Sequence, residues 1–165
     1  MSSPILVTGS AGFIGYHLCQ HLLNDGFNVI GLDAMTDYYD VSLKEKRLNL
    51  LKEHANFTPV IARLETPVVL ETLFATHKPS MVIHLAAQAG VRYSIDEPRS
   101  YVQSNINGTF ELLEAARNHT PKHLLIASTS SVYGANTDMP YCETHKVDTQ
   151  MSFYAATKKA TEAMA

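Results

Sequence analysis

Residues 5–15 read Ile5-Leu6-Val7-Thr8-Gly9-Ser10-Ala11-Gly12-Phe13-Ile14-Gly15, an apolar run that stops at a threonine and passes through three glycines, spaced three apart, into a helical pattern. This is the composition of a phosphate-binding turn. A buried strand delivers the chain to a tight bend, where Gly9 and Gly12 are expected to take backbone angles closed to residues with a Cβ and to leave the main chain bare for a pyrophosphate. Gly15 then lets the helix press on the strand. The free N–H groups at the helix start, with the partial positive charge that gathers there, would face the ligand's negative charge.

The surroundings of the turn sharpen this reading. An amphipathic helix bearing Phe13, Ile14, Leu18, Leu22 and Leu23 ends at the Asn24-Asp25-Gly26 breaker, and Asn28-Val29-Ile30-Gly31-Leu32-Asp33 follows as a second buried strand closing on an acid. A carboxylate at that point can accept both ribose hydroxyls of an adenosine and would repel a 2′-phosphate, so Asp33 argues for NAD over NADP.

The chain of 165 residues, 45% hydrophobic and 18% charged, can bury a substantial core as one domain, residues 1–165. Its apolar runs are strand-sized, and no basic region followed by a long apolar segment opens the chain, so neither a membrane span nor a signal peptide is expected and a cytoplasmic location is. Cys19 and Cys142 lie far apart and outside any C-x-x-C spacing, which fits a reducing compartment. A net charge of −3 offers no broad cationic field for nucleic acid. His17 and His21 share a helix face, but no glutamate stands between them and no third ligand follows, so no metal is expected. Cys19 reads as core packing.

Strand-sized runs recur near residues 4–8, 28–33, 57–62, 80–86 and 123–128, with helix-period segments between them. Ser42-Leu43-Lys44-Glu45 has the form of a capping box opening a helix through about His54, and Thr66-Pro67 starts another that ends before Lys78-Pro79. Glu97-Pro98 precedes a long helix reaching Arg117, whose stripe of Tyr101, Ile106, Phe110 and Leu113 reads as core or subunit contact. Such alternation, with right-handed crossovers, gives a doubly wound parallel sheet, an α/β Rossmann fold. The helical pattern from Ser152 to Ala165 has no terminal cap, so truncation before a further domain is expected.

Two segments carry candidate chemistry. Tyr154-Ala155-Ala156-Thr157-Lys158 puts a phenol and an ammonium on one helix face. Tyrosine ordinarily titrates at about 10, so it serves as a base near neutral pH only where a positive charge such as Lys158 or an oxidised nicotinamide favours the phenolate. Upstream, the fifth strand runs into Ser128-Thr129-Ser130-Ser131-Val132-Tyr133-Gly134, which sets small hydroxyls at the carboxyl edge of the sheet, where open α/β folds bind ligands.

The segments Thr8 to Gly15, Asp33, His84-Leu85-Ala86-Ala87, Ser128 to Gly134 and Tyr154 to Lys158 together resemble the extended short-chain dehydrogenase/reductase family of NAD-dependent nucleotide-sugar epimerases and dehydratases. Asp37-Tyr38-Tyr39-Asp40, residues 84–94 and Tyr154 to Lys159 resemble its UDP-glucuronate 4-epimerase branch in particular. The resemblance implies Tyr154 as catalytic base, Lys158 on the nicotinamide ribose, and Thr129 bonded to the substrate hydroxyl. It implies Gly9, Gly12, Phe13, Ile14, Gly15, Asp33, Leu85, Ala86, Ala87 and Asn105 on the cofactor, and Ala89, Gly90, Val91, Arg92 and Ser130 with Thr129 on a UDP-sugar. The implied activity is C4 epimerisation through a 4-keto sugar in the making of polysaccharide precursors, by a homodimer paired through helices near residues 98–118 and 152–165.

Dehydration across C5 and C6 would need an acid pair after the threonine, where Ser130 and Ser131 stand, so epimerisation is preferred. The chain departs from the family at Arg63, in place of an aspartate that reaches the adenine amino group, since a guanidinium accepts no hydrogen bond. It departs again at Ala34-Met35-Thr36, in place of an asparagine-rich turn. The alternative expectation is a truncated, non-catalytic dinucleotide-binding module.

Overall fold

A computed structural model describes residues 3–165. Five strands, β1 (Ile5–Thr8), β2 (Val29–Asp33), β3 (Phe57–Ile61), β4 (Met81–His84) and β5 (His123–Ile126), form one sheet in the order β3-β2-β1-β4-β5, and every pairing is parallel. Between them run α1 (Phe13–Asn24), α2 (Val41–Lys52), α3 (Val69–His77), the short α4 (Tyr93–Asp96) and α5 (Pro98–Tyr101), and α6 (Gly108–Asn118). Helix α7 (Phe153–Met164) follows β5. The strand order reverses between β1 and β4, and the register sets Thr8 beside His84 at their carboxyl ends. That is the switch point at which open α/β sheets bind ligands.

The chain divides into two compact units, residues 1–86 with 111–127 and residues 87–110 with 128–165. The first holds the sheet and a core on each face. On one face Leu6, Ile30, Leu32 and Val82 pack with Leu70, Phe74, Leu112 and Ala115; on the other Ile5, Val7 and Val29 pack with Cys19, Leu23, Leu48 and Leu51. Because β1 and β2 are buried along their whole length, they read as continuous apolar runs rather than alternating ones. Burial pushes the Cys19 thiol up to about 12, with the Asp33 charge adding to the shift, so it stays protonated and packs as a small apolar group.

Several local expectations are corrected. Helix α2 is capped two residues before the supposed box: Asp40 rather than Ser42 is the N-cap and accepts the Ser42 N–H at 2.9 Å, because its carboxylate outcompetes the serine hydroxyl for the exposed donors. Helix α3 begins at Val69 rather than at Thr66-Pro67, behind Val68 at φ 72°. Phe13 and Ile14 belong to α1 but are 66% and 68% exposed, off its buried face. The long helix from Pro98 is not uniform, for Val102–Asn107 form a π-helical stretch between α5 and α6. Tyr101 is fully buried, as the apolar stripe expects, but beyond it the buried face falls one residue earlier than the stripe, on Asn105, Thr109 and Leu112, while Phe110 is half exposed.

Candidate functional site

In the first unit the sequence after β1 builds a bare cradle. Gly9 has φ +76°, and a Cβ on it would lie 2.9 Å from the Ala86 nitrogen, so the exits of β1 and β4 touch backbone to backbone. Gly12 differs from expectation: its φ is −68°, which any residue adopts, and a Cβ there would stand 3.1 Å from the Gly9 carbonyl oxygen, a tight contact rather than a closed one. A Cβ on Gly15 would collide with the Gly9 carbonyl oxygen and carbon, which is close strand–helix packing in its strictest form. Ser10 Oγ is fully buried and has no hydrogen-bond partner among the described residues. A tight glycine bend, a helix start with no side-chain cap and an orphaned hydroxyl fit a pyrophosphate.

The bend is tied to β4 by one side chain. Thr8 Oγ1 accepts the N–H groups of Leu85 and Ala86 at 3.2 and 3.1 Å and is hydrogen-bonded to Nδ1 of the buried His84 at 2.7 Å. Leu85 and Ala86 are held where they form the wall facing the glycine bend.

Asp33 ends β2 as predicted, and its carboxylate is already engaged. Oδ2 accepts the Ala11 N–H at 2.9 Å and Oδ1 the Met35 N–H at 2.8 Å. Sequence reasoning missed its neighbour Lys44, whose buried ammonium stands 3.8 Å from Oδ1 and donates to Thr36 Oγ1 at 3.1 Å. Arg47, one turn further along α2, donates to the Ala11 carbonyl at 3.3 Å and to Tyr39 Oη at 3.2 Å. Arg63, itself exposed, is turned to the partly buried Glu65 at 3.1 Å in an ion pair.

The second unit carries the proton chemistry. Ser152 caps α7 by accepting the Ala155 N–H at 3.0 Å, which starts the helix one residue before Tyr154 and places Lys158 one turn beyond it. Lys158 is buried, and desolvation pulls its ammonium below the ordinary lysine value, opposed by the charge of Glu162. Glu162 in turn accepts from Ser128 Oγ at 2.5 Å and from Lys159 at 3.1 Å. Thr129 caps the 3-10 turn Ser130–Tyr133 through its oxygen, which accepts the Ser131 N–H at 3.2 Å and leaves the hydroxyl proton free to donate.

Asn105, within the π-helical stretch, is buried and spends its amide on protein groups. Oδ1 accepts the Gln88 N–H at 2.8 Å, and Nδ2 donates to the Gln88 carbonyl at 3.1 Å and to Thr157 Oγ1 at 3.0 Å. Thr157 passes its own proton to the Tyr154 carbonyl at 2.8 Å. The asparagine thus clamps the loop at residues 87–90 to the first turn of α7, and Thr157 and Gln88 are partners that sequence reasoning did not single out. Tyr101 Oη donates to the carbonyls of Ala89 and Gly90 at 2.7 and 2.5 Å, and its ring meets Tyr154 edge-on at 6.0 Å. Val91 and Arg92 continue this loop on the exposed side, Val91 with its carbonyl held by Ser94 Oγ at 2.6 Å. Among the described residues, no group of three or more His, Cys, Asp or Glu is placed to hold a metal, and no helix is long and apolar enough to cross a membrane.

The family model described as GDP-mannose 4,6 dehydratase matches residues 6–165. The "Probable UDP-glucuronate 4-epimerase" of Rhizobium meliloti is 49% identical over 160 residues, 97% of this chain and 47% of its own. The UDP-glucuronate 4-epimerase of Thermodesulfobacterium geofontis is 50% identical over 157 residues, 95% of this chain and 48% of its own. Among solved structures, the UDP-glucuronic acid 4-epimerase of Bacillus cereus in complex with UDP-glucuronic acid and NAD superposes with a TM-score of 0.89 at 35% identity, covering 98% of this chain and 50% of that one. The chain therefore spans about half the length of the relatives it matches.

Proposed function

The chain belongs to the GDP-mannose 4,6 dehydratase family, within the extended short-chain dehydrogenases/reductases, and from that premise we propose that it is the NAD-binding part of a UDP-sugar 4-epimerase acting on UDP-glucuronate. The observation that carries the reading is α7, where Tyr154 and a buried Lys158 sit one turn apart on a helix whose start is locked by Asn105, Thr157 and Ser152. When bound, NAD supplies reversible hydride transfer at the sugar C4. Gly9, Gly12, Gly15, Asp33, Leu85 and Ala86 would hold its adenosine and pyrophosphate, with Phe13 and Ile14 exposed at the helix start.

Tyr154 takes the proton of the C4 hydroxyl as the 4-keto sugar forms and returns it when the sugar is reduced on its other face. Lys158 favours the phenolate and binds ribose hydroxyls. Thr129 donates its free proton to the reacting oxygen. Arg92, exposed on the loop that Tyr101 and Ser94 fix, suits the uronate carboxylate, which a guanidinium matches in bidentate fashion. Dehydration finds no acid here, since Ser130 is exposed and the Ser131 N–H is spent on Thr129. The reading extends to a homodimer, to supply of polysaccharide precursors and to a cytoplasmic location.

One observation favours a second reading, a non-catalytic dinucleotide-binding module: the Arg63 guanidinium faces Glu65 and offers an adenine no acceptor. Incubation with NAD and UDP-glucuronate, followed by chromatography of the nucleotide sugars, separates the two. Formation of UDP-galacturonate, abolished in Tyr154→Phe, supports the epimerase; calorimetric NAD binding without turnover supports the module.

A further inference from the structure

Glu162 is the one carboxylate of α7 and lies one turn beyond Lys158, so the two side chains share a face of the helix. It is also pinned from outside that helix. Oε1 accepts from Ser128 Oγ, in the segment that leads from β5 into Thr129, and Oε2 accepts from Lys159 Nζ at 3.1 Å. With each oxygen engaged, the carboxylate is fixed in place rather than carried about on a free side chain. Desolvation works against its charge, but the Ser128 hydroxyl, Lys159 and the charges of Lys159 and Lys158 outweigh it and hold Glu162 below its usual value. It is therefore ionised near neutral pH.

Lys158 is the side chain that such a neighbour serves. Only 4% exposed, it gives up most of its hydration, and an ammonium so placed loses its proton more readily. The charge of Glu162 opposes that loss. Helix α7 also packs on the π-helical stretch, the 3-10 turn, α5 and α4. The π-helical stretch carries no titratable side chain, the turn carries Tyr133, α5 carries Tyr101 and the exposed Arg99, and α4 carries Tyr93 and the exposed Asp96. Tyr133 stays a neutral phenol, pushed up by desolvation and then by the charges of Glu143, Cys142 and Glu162, and Tyr101 spends its proton on the carbonyls of Ala89 and Gly90.

We infer that Glu162 is a positioning residue for the proton chemistry of α7: pinned by Ser128 and Lys159, its carboxylate is the counter-charge of the buried Lys158 ammonium. The inference rests on the roles proposed above for Tyr154 and Lys158, and adds the group that holds the cation of that pair. An ordinary surface pair between Glu162 and Lys159 is the alternative, and it predicts no effect on Lys158. Because the Glu162 side chain stays 31% exposed, water screens the coupling, and its size on Lys158 is that of a rim pair, about half a pH unit.

NMR titration of the chain, isotope-labelled at the lysine ε-carbons, tests this, with the Lys158 resonance assigned from its loss in Lys158→Arg. Glu162→Gln is expected to lower the Lys158 midpoint by about half a pH unit, and Glu162→Asp, which keeps the charge, to lower it less. Lys159→Gln removes a like charge from the neighbourhood and should leave the midpoint in place or raise it. Melting curves verify that each variant is folded. A midpoint unmoved in Glu162→Gln would overturn the inference, as would an equal fall in Lys159→Gln, which would mark a loosened helix rather than a lost counter-charge. The readout needs neither coenzyme nor turnover, so a chain that forms no product counts against the proposed function and leaves the midpoints to decide the role of Glu162.

Discussion

At the scale of single residues, the glycine bend shows how the same residue type serves two different needs. Gly9 is required for its backbone angle, whereas Gly15 is required for space, because a Cβ there meets the main chain of Gly9 and Ser10, which has no flexible end to move aside. Gly26 is a control: at φ +83° it would be strained by a side chain, but nothing lies within 4 Å of its Cβ position. Gly15→Ala is therefore expected to lose about 2 kcal/mol or more through overpacking, lowering the melting temperature by several degrees and weakening NAD. Gly26→Ala should lose only about 1 kcal/mol from the left-handed backbone, with NAD affinity intact. Calorimetric melting of the two variants side by side reads the difference; equal losses would mean that strand–helix contact at Gly15 carries no special weight.

At the scale of elements, the π-helical stretch Val102–Asn107 turns one asparagine toward two different segments at once. Asn105 satisfies both main-chain groups of Gln88 and the Thr157 hydroxyl, so its truncation leaves buried donors and acceptors without partners. Asn105→Leu should cost about 1–3 kcal/mol, and its local signature is faster amide hydrogen exchange at residues 88–90 and in the first turn of α7. Unchanged exchange there would show that the clamp is not what holds the loop. This device was not legible in the sequence, where a helix is read by placing apolar residues on its buried face. Here that face carries Asn105 and Thr109 because its neighbours supply hydrogen-bonding groups rather than methyls. The strands, the Thr8–Gly15 turn, Asp33 and the Tyr154–Lys158 spacing were legible, since each depends on local chemistry alone. Asp40 as the cap of α2 and Lys44 against Asp33 were not, since both follow from how α2 docks, which no short window of sequence encodes.

At the scale of the whole molecule, one exposed apolar feature bears on the proposed self-association. It is a groove where Pro98, Val102 and Phe153 are flanked by Glu97 and Arg99, a surface with both charges that can face a second copy of itself. Self-complementary contact of that kind closes on a two-fold axis and stops at two chains. The proposed homodimer thus predicts a saturable monomer–dimer equilibrium in sedimentation velocity, shifted to monomer by Val102→Glu, which sets a charge in the middle of the groove without disturbing the core, since Val102 is 39% exposed. A Val102→Glu chain that still forms saturable dimers would place the pairing surface elsewhere.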